Sequence, residues 1–294
     1  MSVAATWTRA PLVAEAAVAV SCVTIRASAR ASTLSRVTHV AVTLAEQPDL
    51  REQAIPDADI WPEFNLQGET YLRLWPRLTE DLPEFQFAMC DEQTGKVVAE
   101  AHTVPCWWDG TMAGLSDGID ETIADAFHRL ETGQPFNTLC AIAAEIPTGG
   151  RGTGLAAEIL RAMGTIATRH GFEHLVAPVR PTWKDRYPIT PIERYMTWRR
   201  DDGSLFDPWL RLHERIGARM GPPLLGSYRI DGTVGEWESW LGMAFPDSGD
   251  YVFPGGLAPL AIDREADQGT YLEPNVWMVH NLASLENYET PTPL

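Results

Sequence analysis

Residues 138–154 constrain the fold of this chain more than any other stretch. Residues 138–146 read TLCAIAAEI, an apolar run of strand length closed by Pro147, and a glycine loop follows at once: Gly149-Gly150-Arg151-Gly152-Thr153-Gly154. Over residues 152–170, Leu155, Ile159, Met163 and Ile166 recur every three or four places. Arg169 and His170 stand in the last turn and Gly171 just past it, which predicts an amphipathic helix with its stop signal. A second short apolar run at 175–179 completes a strand–loop–helix–strand unit.

A glycine loop between a buried strand and a helix suits an anion. Glycine lets the backbone approach closely, and the unpaired first amides of the helix sit at the positive end of its dipole. Arg151 would add a charge-assisted hydrogen bond. Glycines also make ordinary tight turns, so the loop alone leaves that plainer reading open. The P-loop pattern GxxxxGK followed by Ser or Thr does not occur in the chain. A dinucleotide site wants GxGxxG opening a βαβ unit, whereas this loop reads GRGTG and follows a hairpin.

The hairpin is the next clearest element: EFQFAMC, the turn Asp91-Glu92-Gln93-Thr94-Gly95, then KVVAEAHTV, with Gly95 where positive φ is needed. Alternation from residue 36 to Leu44 predicts a first strand. The region after it, broken by Pro56, Pro62 and Pro76, is expected to hold two short helices and a loop with Trp61 and Trp75. A helix is expected over 119–130, closed by Gly133 and Pro135, and another from Pro208 with Asp207 as its cap. Residues 180–207, rich in Pro and Arg, read as an insertion. Residues 225–230 and 237–245 read as strands.

Composition narrows the partners. A formal charge of -17 repels a phosphate backbone, so nucleic acid is not expected. No run reaches the length of apolar chain a membrane span needs, so no membrane partner is expected either. The four cysteines are widely and irregularly spaced, without a CxxC pair, which fits a reducing, cytoplasmic setting without zinc or disulfides. Residues 1–36 carry four arginines against Glu15 alone, in an otherwise acidic chain, and read as a disordered extension before a single domain spanning 37–294. Their apolar part, residues 11–23, can also be read as a weak secretion signal, which Glu15 interrupts.

The glycine loop resembles the acyl-CoA loop of the GNAT superfamily, in which Arg or Gln is followed by two residues, Gly, one residue, then Gly or Ala. Gly152 and Gly154 match the last two places, Gly149 stands where Arg or Gln is usual, and Arg151 falls where the family often has a basic residue. Some sixty residues on, the family has a helix ending in Tyr, three residues, Gly and an aromatic; here the register holds as His213-Glu214-Arg215-Ile216-Gly217-Ala218, with His for Tyr. The order of elements agrees over roughly 37–280.

The resemblance implies an α/β (α+β) fold: a central mixed, mostly antiparallel sheet flanked by helices, with an insertion before the last helix and an extended C-terminal region. It implies acetyl-CoA or another acyl-CoA as co-substrate, without a metal. The pantetheine arm would pair with the backbone of Ile142, Ala143 and Ala144, and the phosphates would lie on Gly149, Gly150, Arg151, Gly152, Thr153 and Gly154. An amine of a small molecule would attack the thioester directly, with a base for the nucleophile and an acid for the thiolate.

His213, on the face shared with Trp209, Leu212 and Ile216, is the candidate acid, against a plainer reading as a core histidine. Glu145, near the end of the central strand, is the candidate base, with His102 and Glu100 as alternatives. Trp107, Trp108, Trp183 and Tyr187 are the candidate walls of an acceptor pocket, unless they only anchor loops. Arg180, Lys184, Arg186 and Arg194 are candidate receivers of a carboxylate or phosphate. A homodimer is left open, as are a CoA-binding regulatory module and a nicotinamide-dependent oxidoreductase.

Overall fold

Strand alternation and turn chemistry set the first half of the molecule. In a computed structural model, which describes residues 38–55, 60–150 and 152–287, β1 (His39–Thr43), β2 (Gln86–Asp91) and β3 (Val97–Cys106) pair antiparallel in that order. The N-terminal extension and the secretion-signal alternative lie outside the described residues. The β2–β3 turn is the expected hairpin: Asp91 Oδ1 accepts from the amides of Gln93 and Thr94, and Gly95 takes φ 70°.

Among the described residues, three short 3-10 turns and α1 (Glu69–Asp81) run between β1 and β2. Pro76 lies inside α1 and does not break it. Its missing donor would have faced the carbonyl of Leu72, and both residues stand on the exposed side of the helix, where water takes the freed acceptor. α2 (Ile119–Thr132) ends at Gly133 in the left-handed conformation, as its sequence predicts.

β4 (Thr138–Glu145), α3 (Leu155–Arg169) and β5 (His174–Val179) form the expected central unit. α3 starts at Leu155 and not at Gly152, because Gly152 and Gly154 hold φ 80° and 96°, outside the helical region. Residues 180–207 are not a plain loop. They contain α4 (Ile192–Tyr195), and Tyr187, Tyr195, Trp198 and Phe206 pack ring against ring in a small core shared with Val179, Val276 and Met278. α5 (Pro208–Arg215) opens on Asp207, whose carboxylate accepts from the amides of Trp209 and Leu210.

β6 (Arg219–Gly232) is longer than the strand expected at 225–230. The stretch 237–245 is mostly helical: α6 (Val234–Leu241) is nucleated by a capping box in which Thr233 and Glu236 satisfy each other's amides, and Gly242 closes it. β7 (Gly249–Tyr251), β8 (Leu260–Asp263), the long β9 (Gln268–Asn281) and α7 (Leu282–Glu286) complete the described chain.

All nine strands join one sheet, in the order β1-β2-β3-β4-β5-β9-β8-β7, with β6 on the other edge of β9. Among the described residues only β4 and β5 run parallel, so the fold is the mixed, mostly antiparallel sheet flanked by helices that the sequence implied. β9 is the organising strand of the second half. One of its edges pairs with β6 throughout, while the other is shared by β5, along Val276–Asn281, and β8, at Gln268–Thr270. Residues 271–275 of that shared edge pair with neither.

Candidate active site

β4 and β5 are tied together only over Thr138–Cys140 and His174–Val176, and beyond that point no pairing joins them. At the same level the β3–β4 register slips: His102 faces Ala143 and Thr103 faces Ala141, so Ile142 is a bulged residue with no partner opposite. A bulge bends its strand and breaks the ladder locally. The half of β4 from Ile142 to Glu145 therefore has its β5 side open, over a cavity of about 920 Å³.

The cavity brings together many of the residues singled out from sequence. Ile142, Ala143 and Ala144 line it from β4, Gly150, Gly152, Thr153 and Gly154 from the loop, and His213 from α5. Gly149 lies outside its lining, although a side chain there would meet nothing within 4 Å. Arg151 is outside the described residues. No side chain caps the first turn of α3, so its leading amides are left for another acceptor. The loop is braced from within by Thr153 Oγ1, which donates to the Gly150 carbonyl at 2.7 Å.

His213 is 1 % exposed, and its Nδ1 lies 2.8 Å from Nε2 of His280 on β9. Burial, and then His280, push the His213 imidazole well below the usual histidine range, and burial pushes His280 down to about 4. Both rings are neutral at pH 7, so one proton is shared across their contact. If His280 Nε2 donates, His213 carries its own proton on Nε2 and is a hydrogen-bond donor; in the opposite tautomer Nε2 is a base. A neutral pair of this kind offers a donor to a developing thiolate without being an imidazolium, which revises the simple acid expected from sequence.

Glu145 is fully buried and does not line the cavity; its Oε1 accepts from Trp61 Nε1 at 2.8 Å, and Trp61 does line it. Glu100 faces Glu145 across the β3–β4 ladder, and the ligand atoms of Glu100, His102 and Glu145 lie within 4.8 Å of one another. The tautomer of His102 is fixed. Gln86 spends its amide protons on the carbonyls of Leu82 and Thr103, which turns its Oε1 to His102 Nδ1 at 3.1 Å. Nδ1 must donate, leaving His102 Nε2 as the basic nitrogen. Two carboxylates and an imidazole are also a donor set that divalent cations accept.

The four candidate pocket aromatics stand elsewhere. Trp108 is buried and donates to the Thr111 carbonyl, while Trp107 is half exposed under the Arg129 guanidinium, and both line a separate cavity of about 330 Å³. Trp183 packs edge-on against Phe206, and Tyr187 belongs to the core of the insertion. These residues anchor loops because a ring buries much area per residue ordered. The aromatic walls of the large cavity are instead Trp61, Tyr71, Trp75, Trp209 and Tyr228. Lys184 is no ligand receiver either: its ammonium is buried against the carbonyls of Tyr187, Pro188 and Leu257, and burial lowers it to about 8. Glu273, Arg180 and Asn65 also line the cavity, and only Arg180 was a sequence candidate.

A sheet parted between a parallel pair, with a glycine-headed helix at the mouth of the gap and an imidazole inside it, defines an acyl-CoA-dependent acyltransferase. The chain belongs to the GNAT superfamily: over an aligned span of 270 residues it is 30% identical to the arginine N-acetyltransferase avaD of Aspergillus versicolor, covering 81% of this chain and 92% of that one. It is an acyl-CoA-dependent N-acyltransferase. No protein-family model matches the chain. Among solved structures, the loading GNATL domain of CurA from Lyngbya majuscula is similar over 85% of this chain and 99% of its own, with 17% identity and a TM-score of 0.49. The diaminobutyrate acetyltransferase EctA from Paenibacillus lautus is similar over 84% and 97%, with 10% identity and a TM-score of 0.38. Among the described residues no helix is long and apolar enough to cross a membrane.

Proposed function

We propose that this enzyme moves an acetyl group from acetyl-CoA to an arginine-like small-molecule amine, within the cytoplasm, by direct attack on the thioester. The opened β4 edge over the cavity carries this reading, because it leaves backbone donors and acceptors of Ile142, Ala143 and Ala144 for a pantetheine arm beside the uncapped start of α3. Gly149, Gly150, Gly152, Thr153 and Gly154, with Arg151, hold the diphosphate. The acceptor class follows the relative's name, and the acidic chain favours a cationic visitor.

In the transfer step the amine lone pair bonds to the thioester carbon, the carbon–sulfur bond breaks, and the proton of the amine passes to the basic group at the β3–β4 ladder. Glu145 and His102 Nε2 are the residues for that role; they stand behind the cavity wall at Trp61, so the proton reaches them through water and not by direct contact. The thiolate leaves as an anion beside His213, which donates Nε2–H to it while His280 Nε2–H holds Nδ1. Such preorganised donation contributes roughly 3 kcal/mol to a transition state. Direct transfer requires no metal. The described cysteines, Cys90, Cys106 and Cys140, are buried and form no disulfide with one another, and burial pushes the Cys106 thiol up to about 12, which fits the cytosol and makes it no nucleophile.

Calorimetric titration of the full chain with CoA, acetyl-CoA and NAD, paired with a thiol-release assay on L-arginine, tests the reading. Binding of both CoA species, none of NAD, and thiol release that depends on arginine is the expected result. NAD binding without CoA binding, or CoA binding with no acceptor-dependent release, would refute it.

A further inference from the structure

The end of the cavity formed by β9 is built from hydrogen-bond acceptors. Glu273 is 2 % exposed yet lines the cavity, in the interval of β9 that neither β5 nor β8 pairs. Its Oε2 accepts from Arg180 Nε at 3.0 Å and from the Tyr271 hydroxyl at 3.3 Å, whereas Oε1 accepts from no described residue. Directly across the β6–β9 ladder stands Tyr228. Its hydroxyl accepts from the Gly68 amide and donates to the backbone carbonyl of Asn65, fixing that residue beside Glu273's strand. Asn65 is itself 8 % exposed and lines the cavity, and its side-chain Oδ1 has no donor among the described residues.

The tyrosine donors of this corner are spent on the protein, and the Arg180 guanidinium is already engaged with it. Tyr228 and Tyr271 give their protons to Asn65 and Glu273, and Arg180 turns Nη2 to the Gly255 carbonyl as well as Nε to Glu273. A buried acceptor left without a donor is costly, and the Asn65 amide oxygen, on the same cavity as the second Glu273 oxygen, calls for a group that donates. Guanidinium and ammonium are such groups. Arg180, a candidate carboxylate receiver from its sequence context, already pairs with the Glu273 carboxylate and the Gly255 carbonyl.

We propose that Glu273 and Asn65 form the subsite that holds the cationic nitrogen group of the acceptor, with Arg180 and Tyr228 as positioning residues. This rests on the acetyltransferase reading above. The test uses the full chain saturated with CoA, titrated calorimetrically with L-arginine and with L-citrulline, which has the same shape and α-amine but an uncharged ureido end. Wild type should bind arginine at least tenfold more tightly than citrulline. Asn65→Leu, which leaves the Arg180–Glu273 pair intact, and Glu273→Gln should each weaken arginine tenfold or more while citrulline shifts less than twofold.

Equal affinities in wild type, no arginine binding, or undiminished arginine binding in Asn65→Leu would overturn the subsite, whether or not Glu273→Gln folds. Acetyl transfer by wild type separates the two readings. If arginine is acetylated but not discriminated, the subsite falls and the activity stands. If no amine is acetylated, both fall.

Discussion

The two ends of the cavity are built on opposite principles. At the loop end the groups that face the ligand are backbone: the open edge of β4 and the uncapped start of α3, presented by one continuous stretch around residues 142–155. At the β9 end they are side chains, Asn65, Arg180, Tyr228 and Glu273, drawn from four distant parts of the chain. A backbone site needs glycine and a secondary-structure junction and tolerates drift elsewhere. A side-chain site needs the whole sheet in register. The first end suits a constant co-substrate and the second a particular acceptor.

The comparison breaks most sharply at His213, where the two ends meet the chemistry. Replacing it with Phe should lower kcat by roughly 10²–10³ while the calorimetric affinity for CoA stays within twofold; unchanged turnover would remove it from the reaction. The His213–His280 pair also makes a stability prediction. Both folded-state values are depressed, so the unfolded chain binds more protons as the pH falls below the ordinary histidine value of about 6.5. Stability is present above that pH and is lost between about 6.5 and 4; for His280 the loss is about 3 kcal/mol. Denaturant midpoints measured across this range should fall for wild type and fall less for His280→Asn.

The loop end should be sensitive to backbone alone. Gly154→Val, which forces a branched side chain to φ 96°, should cost about 1–2 kcal/mol and weaken CoA roughly tenfold, without changing the preference for arginine over citrulline. The smallest effect belongs to a residue of neither end. Thr233→Ala removes the capping box of α6 and should cost about 1 kcal/mol in thermal stability, with the constants for CoA and acceptor unmoved.

The same contrast explains what the sequence discloses. The hairpin, α2, β4, α3 and β5 are legible because each is set by local signals: Gly95, Gly133, Gly171 and uninterrupted apolar periodicity. α6 was misread because Trp237, Trp240 and Phe245 suggest a strand, while the Thr233–Glu236 box that decides the matter lies just before them. β9 escaped because Glu273, Pro274 and Asn275 interrupt its apolar pattern, and their burial has meaning only once β6 and Arg180 are beside them. Aromatic residues cluster in sequence at Trp107, Trp108, Trp183 and Tyr187, which points there for the walls, whereas Trp61 and Trp75 carry no local mark of facing the ligand.

The parted β4–β5 pair leaves the molecule with two half-sheets that share a seam of three residue pairs, Thr138–His174 to Cys140–Val176. Along the rest of β4 the inward amides have no ladder to shelter them, and slow hydrogen exchange there has to wait for a visitor. An extended arm laid against Ile142, Ala143 and Ala144 would act as the missing strand, so the protein would be stiffest only while its thioester is loaded. Turnover would then alternate a looser sheet with a closed one.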